Sequence, residues 1–136
     1  MKFFCKAKDG GPQSTVTGYW LVEIKSLFSI VLLRFDGPSR RSYHEHAFNC
    51  VSWLLRGWLG ESMFDSTRGT PATWKPPTVY IPSPIPFLTR RTDFHRVDSI
   101  GTSWVLSFRG PWAARWREYI PGVGMRTLRH GREVVQ

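Results

Sequence analysis

The sequence predicts an all-β protein. Ten Pro and twelve Gly residues are spread along the 136-residue chain, so few windows longer than about ten residues escape a helix breaker. Between the breakers, runs rich in β-branched and aromatic residues recur about every 8–12 residues. This spacing is typical of the strands of antiparallel sandwiches and barrels. The chain therefore resembles neither a helical bundle nor an alternating α/β protein.

The first two predicted strands, Val16–Ile24 and Leu27–Phe35, carry the strongest strand composition, and Asp36-Gly37-Pro38 closes the second with a turn. Ser66–Pro77 is predicted as a loop, and the proline-spaced residues 81–86 as an extended or edge segment. We expect the strand at Cys50–Arg56 to turn back and run beside the strand at Ser42–His46. The other predicted strands are Trp58–Phe64, Thr78–Ile81, Phe94–Ile100, Ser103–Phe108, Ala113–Tyr119 and Met125–Arg129.

Length and composition indicate one domain over residues 1–136, since domains commonly hold roughly 100–200 residues. Hydrophobic residues make up 41% and aromatic residues 15% of the chain, which is enough to build a core. We expect the ordered core to span about residues 14–130, with weaker order at Met1–Gln13 and Gly131–Gln136.

Several classes of protein are disfavoured by what the sequence lacks. The longest apolar stretch, Ser26–Leu33, is far shorter than the roughly 20 residues of a membrane-spanning helix, and the N-terminus does not resemble a secretory signal. With two cysteines and no C-x-x-C pair, the chain fits neither a disulfide scaffold nor a zinc ribbon. Nucleotide-binding glycine loops and the G-x-S-x-G motif are also missing. We therefore expect a cytoplasmic protein without a membrane partner.

Two of the four histidines form the run His44-Glu45-His46. Because side chains two residues apart on a strand share a face, both imidazoles can converge on one metal ion while Glu45 points away. His95, about fifty residues on, starts another predicted strand and offers a third imidazole. Three neutral imidazoles suit Fe, Zn, Ni, Cu or Mn and leave positions for water or substrate.

The stretch from His44 to Cys50, followed by Gly57, is similar to the first motif of the cupin superfamily. In that motif H-x-H is followed by Glu and then by Gly, and here Cys50 stands at the Glu position. The prolines of residues 82–86 leading to His95 are similar to the second motif, without its usual Gly and Asn. Thr102–Pro111 also looks like part of the small cupin-like proteins found in phage and bacterial genomes.

This resemblance implies a double-stranded β-helix, a small jelly-roll barrel with a metal at its mouth. Position by position, it implies the metal ligands His44, His46 and His95. Cys50 is either a fourth ligand, as a thiolate, or a non-ligating core thiol, which would leave a three-histidine site like that of the superfamily's thiol dioxygenases. The 2-oxoglutarate oxygenases are disfavoured because His46 stands where they carry an acid.

The chain carries 19 Lys and Arg against 10 Asp and Glu, a net charge of +9, and such a surface attracts anions. Arg90, Arg91 and Arg96 flank His95 and, with Arg56 beside Trp58, are predicted to bind an anionic substrate. A solvated basic face without a single ligand is the other interpretation of these residues.

Two functional hypotheses follow. The first is a cupin-fold metalloprotein that binds a divalent transition metal (Fe, Zn, Ni or Mn) and acts, if catalytic, as a dioxygenase or a metal-dependent isomerase or lyase on a small anionic molecule. The second is a non-catalytic basic module that binds an anionic ligand, nucleic acid or an acidic partner protein. A structural or assembly role, in which the metal only stabilises the barrel, is a third possibility. A homodimer is expected, because Val16–Phe35 offers an apolar edge that a lone domain would need to cover.

Overall fold

The computed structural model describes residues 1–38 and 42–135. These residues form an all-β fold of two antiparallel sheets, which confirms the predicted class. Among the described residues, no helix has the length and apolar character needed to cross a membrane. Within residues 1–38 and 42–135, the one helical turn is a short 3-10 helix at His130–Arg132. The described strands are β1 (Lys2–Lys8), β2 (Val16–Ile24), β3 (Phe28–Asp36), β4 (Tyr43–His44), β5 (Cys50–Arg56), β6 (Leu59–Asp65), β7 (Thr70–Pro71), β8 (Thr78–Tyr80), β9 (Phe87–Thr89), β10 (His95–Ser99), β11 (Thr102–Arg109), β12 (Arg115–Ile120), β13 (Gly124–Arg129) and β14 (Glu133–Val134).

One sheet has six strands in the order β1-β2-β3-β11-β5-β9. The other has eight, with the path β14-β13-β12-β4-β10-β6-β7 and with β8 paired to β6. Strands distant in the chain are neighbours in both sheets, as in β3 beside β11 and β4 beside β10. This interleaving is the double-stranded β-helix, or jelly roll. Among the described strands, the sheets face each other and do not close into a hydrogen-bonded barrel.

The main core lies between the two sheets. Val31 and Leu54 project from the six-stranded sheet, and Leu59 from the other sheet completes the same cluster. Val31 is fully buried and Leu54 is 2% exposed, and burying a side chain of this size contributes roughly 1.5–3 kcal/mol. Buried and more exposed positions alternate along β5 and β11, because successive side chains of a strand point to opposite faces of the sheet.

Gly57 has a backbone conformation that favours glycine. Its φ is +101°, and a Cβ there would lie 2.7 Å from the backbone Cα of Ser103 and closer still to the hydroxyl. The amide of Trp58 donates to Oγ of Ser103, which in turn donates to the carbonyl of Trp58. The glycine at the predicted motif position therefore lets the β5–β6 turn rest directly on β11.

The strand predictions match the structure closely where composition is strong. β2 and β5 have the predicted bounds, and most of the others differ by one or two residues. Residues 81–86, expected to be extended or an edge strand, contain no strand, and pairing begins at Phe87 in β9. Proline lacks the N–H that a sheet ladder needs, which explains the delay.

Several placements differ from the sequence expectations. Ser66–Pro77, predicted as a loop, contains the two-residue strand β7, which pairs with the end of β6. Cys50–Arg56 does not run beside Ser42–His46, because β5 pairs with β11 and β9 in the opposite sheet. The N-terminal segment contains β1, which pairs with β2 at every position except Phe4, and the weaker order expected there stays a prediction. Since β1 covers one side of β2 and β11 covers β3, Val16–Phe35 is not an open edge. The homodimer stays a prediction, but the open edge no longer supports it.

Candidate metal centre and its cavity

Three histidines meet on the inner side of the eight-stranded sheet. His44 ends β4, a two-residue strand held between β12 and β10, and it lies directly opposite His95 in the register of β10. His46 follows two residues later and lies on the same side. The two-residue spacing and the pairing of β4 with β10 thus bring the imidazoles together.

The three rings form a nearly equilateral triangle. Their centroids are 5.0 Å apart for His44 and His46, 5.1 Å for His44 and His95, and 5.0 Å for His46 and His95. One ring nitrogen from each histidine lies within 4.8 Å of the other two. Nε2 of His46 is 2.9 Å from Nε2 of His95, so these two nitrogens face the same point.

A carboxylate holds the orientation of His95. Nδ1 of His95 lies 2.6 Å from Oε2 of Glu61, and the other oxygen of Glu61 accepts a hydrogen bond from the hydroxyl of Tyr80. Burial is the largest single influence and acts to raise the pKa of Glu61. The hydrogen bonds with His95 and Tyr80 and the charges of His95 and Lys75 together outweigh burial, so the pKa lies below its usual value. Burial and the neighbouring Glu61 raise the pKa of Tyr80 to about 12. An ionised Glu61 accepts a hydrogen bond from the Nδ1–H of His95, so the lone pair of this ring lies on Nε2, which is directed at the other histidines.

His46 is held in its neutral form. Burial, followed by the charges of His44, His95 and Arg109, lowers its pKa well below 6.5. A neutral imidazole keeps the lone pair that a metal ion needs.

The donor set fits a divalent transition metal. Imidazole nitrogens suit Zn, Fe, Ni and Cu, and two nitrogens bound to one ion at right angles, about 2.1 Å from it, lie about 3 Å apart. The 2.9 Å separation of the two Nε2 atoms agrees with such a site. His95, which is 3% exposed, also has the carboxylate partner that metal-binding histidines commonly have.

The histidines line a cavity of about 320 Å³ between the two sheets. Its wall changes character along the inner face of β11, from charged Arg109 through Ser107 to Val105. Leu33 and Leu59 lie on the wall near Val105 and belong to the same apolar cluster. The cavity therefore has a polar end and an apolar end.

No protein-family model matches the sequence, and no curated protein matches it. Solved structures do match in fold. A cupin superfamily protein from Desulfitobacterium hafniense aligns with a TM-score of 0.53 and 16% identity, over 79% of this chain and 84% of the other. The polyketide cyclase RemF from Streptomyces resistomycificus aligns with a TM-score of 0.58 and 13% identity, over 79% and 73%. The fold is that of the cupins.

A third cupin-like match is the iron(II) form of HppE, with a TM-score of 0.56 and 12% identity. The alignment covers 77% of this chain and 55% of HppE, so the chain spans about half the length of that protein. These identities are low, so the likeness shows the fold alone. The chemistry depends on the residues of this chain.

The cupin motif position held by Cys50 lies in the cavity wall but outside the histidine cluster. Among the described residues, the cluster of potential ligands contains His44, His46 and His95. Cys50 is 7% exposed and packs with Phe48 and Trp116, and its thiol accepts a weak hydrogen bond from Ser52. Its environment is that of a core thiol.

The arginines singled out from the sequence lie away from the cavity. Arg56, Arg90 and Arg91 are exposed, and Arg96 packs over the ring of Tyr43 and pairs with Asp98. None of the four is in the described cavity wall, where Arg109 and Arg132 lie instead. The reason is geometric, since residues 90 and 91 lie in the loop before β10, outside the sheet that forms the wall.

Much of the basic charge is paired. Ion pairs with Asp or Glu lower the charge that these arginines present to a polyanion, so binding to nucleic acid or an acidic protein stays a prediction. The arginines with such partners are Arg34, Arg68, Arg96, Arg109, Arg117, Arg126, Arg129 and Arg132.

Two residues of the cavity region were missed by the sequence reasoning, and both had a signal in strand alternation. Glu61 is two residues from the buried Leu59 on β6, so a carboxylate on the inward face was predictable. Arg109 follows Val105 and Ser107 at the same period on β11. A charged residue on the inward face of a strand is expensive unless paired, which makes it a candidate for function.

Proposed function

We propose that this protein is a cupin-fold metalloprotein in which His44, His46 and His95 hold a divalent transition metal, with Fe, Zn, Ni and Mn as the candidates. The observation that carries the proposal is the convergence of three imidazoles on one point of a cavity wall. The hydrogen bond between Nδ1 of His95 and the carboxylate of Glu61 supports the proposal, because this contact fixes the tautomer of His95 in which Nε2 can bind a metal.

We further propose that the cavity is the site of a reaction on a small anionic molecule, either a dioxygenation or a metal-dependent isomerisation or lyase reaction. When bound, a metal held by three protein ligands supplies Lewis-acid or redox chemistry at its open positions. The residues of the chain supply the rest. Glu61 holds His95 in place, Arg109 places positive charge in the wall, and the apolar end of the cavity excludes water from the substrate.

The iron(II) in the HppE structure is consistent with a redox metal in this fold, and RemF, a polyketide cyclase, shows that the fold also serves other chemistry. The proposal for this chain rests on its own histidines.

Metal analysis of protein produced without a histidine tag tests the proposal. We expect close to one equivalent of a transition metal in the wild-type protein, and loss of most of it in the variants His44→Ala and His95→Asn. His130→Ala is the matched control, because His130 is exposed and packs on Trp112 and Trp116, outside the cluster.

Thermal unfolding of each variant separates loss of a ligand from loss of the fold. A folded His44→Ala protein with the same metal content as the wild type would refute the proposed centre.

A further inference from the structure

Three buried N–H groups of cavity-wall residues have no hydrogen-bond partner among the described residues. They are Nε1 of Trp20, Nε of Arg109 and Nε1 of Trp112. A buried donor without an acceptor costs roughly 1–3 kcal/mol, and folded proteins leave few of them. All three residues line one cavity, and a bound ligand that reaches these N–H groups would supply the acceptor atoms.

A single aromatic ring, that of Phe48, separates two of these donors, on Arg109 and Trp112, from the histidine cluster. The ring of Phe48 is 5.3 Å from that of Trp112 and 5.1 Å from that of His46, centroid to centroid. The guanidinium of Arg109 lies 4.6 Å from the centre of the same ring. Arg109 and Trp112 are therefore about one phenyl ring away from the proposed metal ligands. Trp20 lies on β2, two strands from β11, and is not part of this subsite.

The charge of this subsite favours a monoanion. Arg109, 4% exposed, donates to Asp9 through both terminal nitrogens. Burial opposes its charge, but the charge and hydrogen bonds of Asp9, together with smaller effects of Cys50 and Glu23, outweigh burial and raise the pKa of Arg109. Lys25, also in the wall, makes no ion pair with a described residue, and its ammonium lies 4.6 Å from the ring centre of Trp112.

The carboxylate of Glu23 also acts on the charge of Arg109, and Glu23 is itself paired with Lys2 at 3.7 Å. The subsite thus retains about one positive charge, from Lys25, together with two free donors. Two N–H donors and one positive charge match the two oxygens and single charge of a carboxylate. A phosphate dianion would leave one negative charge uncompensated in a buried site.

The rest of the cavity is suited to an apolar body. Along β11 the wall passes from Arg109 to Val105, which packs with Leu33 and Leu59. A ligand with its carboxylate at Arg109 would place its carbon chain beside these residues and the histidines.

We infer that the cavity binds a monocarboxylate with an apolar body, and that Arg109, Trp112 and Lys25 hold the carboxylate. This inference rests on the proposed function in one respect, namely that the cavity is the substrate site. Binding of the carboxylate by these three residues does not require a metal.

Calorimetric titration of metal-stripped protein, prepared on a chelating resin, tests the subsite directly. The probes are hexanoate, its neutral isostere hexanamide, and inorganic phosphate. We expect hexanoate to bind at least about tenfold more tightly than either of the others, a ratio typical of one charge-assisted contact. In a 15N–1H spectrum, hexanoate should also shift the indole N–H signal of Trp112, which is assigned by its disappearance in Trp112→Phe.

Two variants with matched controls test the residues without removing the buried Arg109. Trp112→Phe keeps the ring and removes the donor, and we expect roughly tenfold weaker hexanoate binding. Lys25→Met should weaken binding about fivefold. Trp104→Phe and Lys6→Met are the controls, since both residues lie outside the described cavity wall and pack on Tyr19.

Equal binding of hexanoate and hexanamide would overturn the inference, as would tighter binding of phosphate or wild-type affinity in both Trp112→Phe and Lys25→Met. The outcome is separable from that of the metal proposal. If metal analysis finds no metal in the unstripped wild-type protein while the stripped protein binds hexanoate, the subsite stands and the metal centre is refuted; metal binding by the unstripped protein without hexanoate binding by the stripped protein would refute the subsite alone.

Discussion

The carboxylate of Glu61 and the imidazole of His95 form a 2.6 Å contact that joins β6 to β10. His95 is almost fully buried, and Glu61 is the acid that faces its Nδ1. A metal ligand held this way loses little orientational freedom on binding, since its ring is already fixed. Glu61 is therefore a positioning residue for the proposed centre.

Glu61→Gln should weaken metal binding by about tenfold to a hundredfold, because the amide retains an acceptor but removes the charge that favours the Nδ1–H tautomer. Competition with a chromogenic chelator measures the affinity. Tyr80→Phe is the control, since it removes only the hydrogen bond to the other carboxylate oxygen, and we expect a change of a fewfold at most. Wild-type metal affinity in Glu61→Gln would show that the contact is not part of the centre.

The stability of the metal-free protein should depend on pH through His46. Because its pKa is lowered on folding, the native state binds fewer protons than the unfolded chain, and the free energy of unfolding rises with pH. The contribution of His46 is complete above the ordinary value of 6.5 and is lost as the pH falls below it.

The slope from this group cannot exceed about 1.4 kcal/mol per pH unit. Urea unfolding of metal-free protein between pH 7.5 and 5 measures it. His46→Gln should flatten this dependence, whereas His130→Gln, at an exposed position, should leave it unchanged. A dependence that is equally steep in His46→Gln would contradict the prediction.

Gly57→Ala should destabilise the protein by at least about 2 kcal/mol, since a side chain at φ +101° is strained and its Cβ would overlap Ser103. Gly60→Ala is the matched control three residues on, where a Cβ meets no atom within 4 Å. We expect the control to change the free energy of unfolding by about 0.5 kcal/mol or less. Urea unfolding compares the two, and equal stability would refute the role given to the close approach.

The homodimer is predicted to form through the outer face of the six-stranded sheet. Phe108 lies there between Ile30 and Val51 in the register, with Leu88 next to Val51. Phe108 is 45% and Leu88 54% exposed, and monomers rarely expose apolar patches larger than a few hundred Å² or so. A second copy of the chain would cover this face.

Light scattering measures the state in solution. Phe108→Lys should give a monomer, and Val123→Lys, on the turn between β12 and β13, should not change the state. A wild-type monomer at micromolar concentration would refute the prediction.

Features that depend on local chemistry were predictable from the sequence. The bounds of β2 and β5 follow from β-branched and aromatic runs ended by turn residues. The shared side of His44 and His46 was predictable from their two-residue spacing in extended backbone. The cupin-like fold was predicted from the resemblance of His44–Cys50 with Gly57, and of the segment leading to His95, to the motifs of that superfamily. The prolines in residues 81–86 indicated an extended segment or an edge strand, and the structure has no strand there, because proline lacks the N–H needed for pairing.

Features that depend on which distant segments become neighbours came only from the tertiary structure. Asp9 and Arg109 are a hundred positions apart in the chain, and nothing local in either segment indicates their ion pair. Glu61 reaches His95 because β6 and β10 are paired neighbours in the same sheet. In contrast, β5 follows β4 in the chain but pairs in the other sheet. Strand composition determines that a segment will pair, but the choice of partner is made by the packing of the whole core, because many pairings satisfy the same backbone hydrogen bonds and only one buries all the inward faces together.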